Sequence, residues 1–226
     1  MNLIQKEKNK KIWLSPTGIE SLKRCPRCFW LRYRKKIYQP EGIVSRLANR
    51  FDVVVKKYFD QYRGTDQIPP LVAGKVIGTL QDPFQETYFY HYNNDYGLMG
   101  KLDECLITEK KTYTPVDHKT ASSDPNTRPM IPAYQTQLDT YALLLEKNRR
   151  PSSGIGHLIY FYPDTAKDLH NRFPMQITVK TLHTNPQNAF TEFLRAIKVL
   201  EGKMPASSKK CPFCTWHSEM KKLVKK

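Results

Sequence analysis

Three side chains within the stretch Gly100 to Lys119, GKLDECLITEKKTYTPVDHK, could do chemistry together: Asp103, Asp117 and Lys119. Asp117 and Lys119 are two positions apart in a strand-like run, so they point to the same side of an extended backbone. Asp103 ends another strand-like run, and "TEKK" between the two reads as a polar hairpin turn. If the strands pair, both carboxylates and the ammonium share one patch. Two carboxylates bind Mg²⁺ or Mn²⁺ because hard cations prefer oxygen ligands. Such an ion lowers the pKa of a bound water and neutralises a scissile phosphate. A neighbouring lysine orients the water and offsets developing negative charge. The backbone carbonyl of His118 is a further oxygen donor to the same ion, with its side chain packed or turned away from Lys119.

The elements that must position this patch follow from periodicity. "WLSPTGIESLKRC" starts a helix, with Ser15 as cap and Pro16 at the first position. Residues 43–62 make a longer helix, with Ile43, Leu47, Phe51, Val54, Val55, Tyr58 and Phe59 at spacings of three and four. Asp52 lies beside that apolar stripe, and on pattern alone it is an exposed acid pairing Lys56 at i+4. Segments at 75–80, 84–92, 96–107 and 112–120 read as three or four strands in an antiparallel meander. Pro115 marks an edge or entry position. A loop at 121–129, long enough to move, leads to a helix over 131–147. Strands over 154–162 and 173–180 and a helix over 186–202 complete the chain. This order gives an α/β sandwich with a mixed central sheet. No internal repeat is present.

The chain has 226 residues, 39% of them hydrophobic, enough for one domain with a core. It divides into a disordered basic arm at 1–12, a single domain over 13–216 and a basic tail at 217–226. No apolar run approaches the roughly 18 residues of a membrane span, and the charged N-terminus lacks the apolar stretch of a signal peptide. A cytoplasmic protein without a membrane partner is the expectation. A net charge of +16 and a pI near 9.6 suit a polyanion, nucleic acid first. No G-x-x-x-x-G-K-[ST] motor motif occurs, so any unwinding comes from a partner.

Four of the five cysteines form two C-x-x-C pairs, Cys25/Cys28 and Cys211/Cys214. In a cytosolic chain this spacing points to metal before disulfide. Four thiolates can hold Zn²⁺ or a 4Fe–4S cluster, and a shared metal would staple the two ends of the chain together. Cys105, without a partner cysteine nearby, is a core residue.

Taken together, "GKLDE", "VDHKT" and, on the next helix, "QLDTY" resemble the successive motifs of the PD-(D/E)XK nuclease superfamily. Gln137 and Tyr141 match the Q-x-x-x-Y motif of its RecB-like branch, which includes exonucleases associated with CRISPR adaptation. The resemblance implies a restriction-endonuclease-like α/β core with a mixed central sheet flanked by helices. It implies a metal-dependent nuclease hydrolysing phosphodiester bonds of single- or double-stranded DNA, in repair, recombination or defence. A helicase or other repair or defence protein would be its partner. Asp103 and Asp117 become ligands for Mg²⁺ or Mn²⁺ and Lys119 the catalytic lysine. Gln137 and Tyr141 bind DNA or support the site. Relatives usually add a histidine from the long helix before the sheet; Asp52 stands there instead, and the resemblance gives it a ligand role. Some relatives carry an iron–sulfur cluster on one N-terminal and three C-terminal cysteines, whereas this chain has two and two. Two alternatives remain from the residues: a catalytically weak nucleic-acid-binding protein on the same fold, and a Zn or Fe–S interaction protein.

Overall fold

Ser15 accepts a hydrogen bond from the Gly18 amide and Pro16 takes the first helical position, so the helix begins where the chain spells it. A computed structural model describes residues 11–40, 46–168 and 170–224. Strand β1 (Ile12–Leu14) precedes this helix, α1 (Pro16–Arg24). Cys25 is extended, as a residue before proline prefers, and Pro26 opens a second helix, α2 (Pro26–Lys35). The expectations for residues 1–10, for Ile43 and for residues 225–226 lie outside the described residues. Helix α3 (Arg46–Asp60) follows, then strands β2 (Thr79–Leu80), β3 (Thr87–His91), β4 (Tyr96–Lys101), β5 (Glu104–Ile107) and β6 (Tyr113–Thr120). Helix α4 (Pro132–Lys147), strands β7 (Ile155–Pro163) and β8 (Met175–His183), and helices α5 (Pro186–Glu201) and α6 (Pro212–Val224) close the chain. The stretch read as a basic tail is thus helical as far as Val224.

Two compact units emerge. Among the described residues, one comprises 11–39, 89–99 and 192–224. In it β1 runs parallel to β4, with Ile12 opposite Tyr96. Its core contains Leu14, Ile19, Leu22, Phe29, Leu98, Phe193 and Leu200.

The other unit, the described residues among 46–88 and 100–191, holds a five-stranded sheet in the order β2-β5-β6-β7-β8. The consecutive strands do not form one meander: β3 and β4 join β1 in a separate three-stranded sheet. β5 and β6 form the antiparallel hairpin that "TEKK" predicts, with Glu104 opposite Val116. β6 and β7 are parallel, with Lys119 opposite Tyr160, because α4 carries the chain back between them. β6 is therefore central, and Pro115 stands near its entry rather than on an edge strand.

Period-two alternation gives β6 two different faces. Val116, with Ile159 and Phe161 of β7, packs against Val55 and Phe59 of α3. His118 shares that face, its ring 4.9 Å from the ring of Phe59. The other face carries Asp117 and Lys119 toward α4, whose Leu138, Tyr141, Leu144 and Leu145 are buried. Gly100 permits this close approach: a β-carbon there would lie 2.6 Å from Leu144 Cδ1 and 3.1 Å from Tyr141 Cε1.

Candidate active site

The β5–β6 register, continued one residue, sets Asp103 opposite Asp117. Asp103 leaves the strand there, and its carboxylate accepts a hydrogen bond from the His118 amide at 2.9 Å. The acids and the lysine read from the sequence line a single cavity of about 410 Å³, together with Asp52, His118, Gln137 and Tyr141. Lys101 and Tyr134 complete its polar wall.

Lys119 is the most constrained of these groups. Its ammonium contacts the Asp117 carboxylate directly and donates to Gln137 Oε1 at 3.0 Å. It also lies 4.6 Å from the centroid of the Tyr134 ring, a cation–π contact. Gln137 Nε2 in turn donates to Tyr141 Oη at 2.7 Å, and the Tyr141 hydroxyl donates to the Lys101 carbonyl at 2.7 Å. The i, i+4 spacing on α4 thus forms a relay from Lys119 to the backbone of β4. Burial pushes the Tyr141 hydroxyl well above its ordinary pKa, so it stays a donor.

The acidic residues do not all converge on one point. Ligand atoms of Asp52, Asp103 and His118 lie within 4.8 Å of one another. Asp117 lines the same cavity but is held by Lys119. The His118 ring packs on Phe59 and points away from Lys119, as expected, and it also stands near the donor atoms of Asp52 and Asp103. Alternation turns its ring away from Lys119 toward α3, and α3 delivers Asp52 to that same face. Neither ring nitrogen of His118 has a hydrogen-bond partner. Burial pushes its pKa down to about 4, against the pull of Asp103 and Asp52, so the imidazole is neutral and available as a ligand.

Two carboxylates and an unpartnered buried imidazole within this reach fit a divalent cation. Asp52 pairs with Lys56 at 3.1 Å, as its i+4 spacing predicts, and it also neighbours the donor atoms of Asp103 and His118. The spacing along α3 names Lys56 only as the partner of Asp52. Its ammonium also lies 3.0 Å from Asp103 and so bridges the two acids. Its i+4 spacing from Asp52 was the available signal. Burial pushes Asp117 up to about 6, partly opposed by Lys119 and reinforced by the Asp103 charge.

Glu104, beside Asp103 in the sequence, takes no part in the cavity. It is buried and accepts both oxygens' bonds from Arg63 Nη2, at 2.8 and 3.0 Å. Cys105 is fully buried, as expected. The four paired cysteines, all in the other unit, bring their sulfurs together.

Residues 72–218 match the family model of the PD-(D/E)XK nuclease superfamily. The chain belongs to that superfamily. It is a nuclease, with the mixed α/β architecture of the group, and nucleases of this superfamily use divalent metals. A phage-related exonuclease from Haemophilus somnus 129PT shares the fold at 10% identity, with a TM-score of 0.50, covering 93% of this chain and 97% of that one. An alkaline exonuclease from Laribacter hongkongensis aligns at 10% identity with a TM-score of 0.45, over 96% of each chain. A search of curated protein sequences finds no match. Among the described residues no helix is long and apolar enough to cross a membrane.

Proposed function

We propose that this nuclease hydrolyses DNA phosphodiester bonds with Mg²⁺ or Mn²⁺, in the manner of the RecB-like branch. The observation that carries the reading is Lys119, fixed between Asp117 and Gln137 in the cavity that also receives Asp52, Asp103 and His118.

Asp52, Asp103 and the His118 imidazole, with Asp117 beside them, would hold the cation. When bound, it supplies charge neutralisation at the phosphate and a lower pKa for water. Lys119 directs its ammonium into the cavity, where it orients the attacking water and offsets charge growing on the phosphoryl oxygens. Gln137 and Tyr141 act as positioning residues, keeping Lys119 at one geometry through the relay to the Lys101 carbonyl. The Lys56 ammonium neutralises Asp52 and Asp103 before the cation arrives. Lys101, paired with Glu86 at 3.0 Å and 60% exposed in its side chain at the cavity wall, would exchange that carboxylate for a phosphate of the substrate strand. Unwinding of a duplex would require a separate motor protein such as a helicase, and the setting would be repair, recombination or defence.

The fold shared with the phage-related exonuclease makes an end-dependent mode the one to test. Purified protein is incubated with linear and covalently closed circular DNA in Mg²⁺, Mn²⁺ or EDTA. Loss of linear DNA in either cation, with circles intact and no loss in EDTA, is the expected result. Cleavage of both forms would make the enzyme an endonuclease. Salt-sensitive binding with no cleavage in any divalent cation would replace the proposal by the binding-protein alternative.

A further inference from the structure

Each cysteine pair has the sequence Cys-Pro-x-Cys, and the proline does the same thing at both ends of the chain. It disfavours helix at the residue before it and occupies the first turn of the helix that follows. Cys25 and Cys28 therefore stand at the start of α2, and Cys211 and Cys214 at the start of α6. The amides of Phe213 and Cys214 donate toward the Cys211 sulfur.

The four sulfurs form one group. Cys25 Sγ lies 3.7 Å from Cys214 Sγ, Cys28 Sγ lies 3.7 Å from Cys211 Sγ, and Cys28 Sγ lies 3.9 Å from Cys214 Sγ. All four Sγ atoms fall within 4.8 Å of one another, with no histidine in the group. All are unbonded thiols. Cys25, Cys211 and Cys214 are buried and Cys28 is half-buried.

These distances discriminate between metals. Four thiolates around a single Zn²⁺ at about 2.3 Å occupy a tetrahedron whose edge is about 3.8 Å. In an iron–sulfur cluster different irons carry different cysteines, with bridging sulfides between the irons. That spreads sulfurs on different irons beyond about 5 Å in a two-iron cluster and to roughly 6 Å in a four-iron one. The observed group has the edge of the single-ion tetrahedron and lacks the span that either cluster requires.

We infer that Cys25, Cys28, Cys211 and Cys214 hold one structural Zn²⁺, not an iron–sulfur cluster. The site is closed, with four protein ligands and no open position, which assigns it to holding α2 and α6 together rather than to catalysis. It departs from the cluster-bearing relatives of the RecB-like branch in both metal and cysteine distribution. It does not depend on the cavity of the other unit being a nuclease site.

The chain is expressed with iron and zinc both supplied, purified without oxygen, and analysed for metals and acid-labile sulfide. The expected result is a colourless protein with one zinc per chain and background iron and sulfide. Titration with an organomercurial should release that zinc as thiols are modified. Asp103→Asn should retain the zinc, and Cys28→Ser/Cys211→Ser should lose it. A brown protein with iron and sulfide in cluster proportions would overturn the inference. So would a metal-free chain, or zinc that stays in the double cysteine variant or leaves with Asp103→Asn. The titration uses the unaltered chain, so it decides the matter even if the double variant fails to fold.

Discussion

At the scale of the residue, the site is a matter of how charges hold one another. Lys56 lies 3.1 Å from Asp52 and 3.0 Å from Asp103, where its ammonium competes with any added cation for the same carboxylates. Lys56→Met should therefore tighten Mn²⁺ binding on the order of tenfold, read by isothermal titration. Unchanged or weaker binding would mean that Lys56 does not compete for these carboxylates. Gln137 offers a different test. Gln137→Leu keeps α4 apolar but cuts the relay to Lys119, so kcat should fall about 10-fold to 100-fold with DNA affinity nearly unchanged. A loss confined to DNA affinity would make Gln137 a substrate contact instead.

The same residues set a pH dependence. Burial raises Asp117 to about 6 and, despite Arg63, Glu104 to about 7. Both lie above the ordinary carboxyl value, so the fold binds protons that the unfolded chain releases. Their contribution to stability is fully present below about pH 4 and is lost as pH rises through 6 to 7. Burial holds His118 and His157 at about 4, which favours the fold as pH rises toward 6.5 and offsets the carboxyls over that range. Above it the carboxyl loss stands alone, so the metal-free protein should melt at lower temperature at pH 8 than at about pH 6.5. Mn²⁺ should raise the melting temperature more at pH 8, because Asp117 is then ionised. A larger Mn²⁺ effect at pH 5 would contradict this.

At the scale of the element, strand β6 and helices α3 and α4 do most of the positioning, and much of this was legible. Spacing along α3 and α4 gave their apolar faces, and alternation along VDHKT put Asp117 and Lys119 on one face. What alternation could not supply was the company His118 keeps on the opposite face. That depends on α3 crossing there with Asp52, a contact made between residues far apart in sequence. Likewise nothing local to β3 and β4 distinguishes a continued meander from a second sheet, since strand pairing is decided by partners outside the strand. The C-x-x-C spacing by itself marks a metal site rather than helices α2 and α6, although each Cys-Pro step is a helix start.

Arg63 and Glu104 tie the end of the α3 segment to β5. Arg63 also donates to the Gln81 carbonyl at 2.8 Å. Glu104 is 1% exposed in its side chain, so removing its partner strands a buried carboxylate. Arg63→Met should cost about 3–5 kcal/mol by denaturant unfolding at pH 8. The added change Glu104→Leu should recover much of it. If the single substitution is neutral, this pair is not a structural tie.

At the scale of the whole molecule, the charge of +16 belongs to a chain whose candidate cavity gathers Asp52, Asp103 and Asp117. Under the proposed function, the basic excess outside that cavity meets the phosphates of a long substrate while the acids receive a cation. The family assignment rests on residues 72–218 and makes the chain a nuclease; what the cavity adds is the division of labour among its side chains. The most direct measurement is cleavage of end-labelled DNA in Mn²⁺ by the wild-type chain and by Lys119→Ala. The account predicts robust cleavage by the first, none in EDTA, and a loss of about 100-fold or more in the second with Mn²⁺ binding retained. Equal cleavage by the two proteins would contradict it.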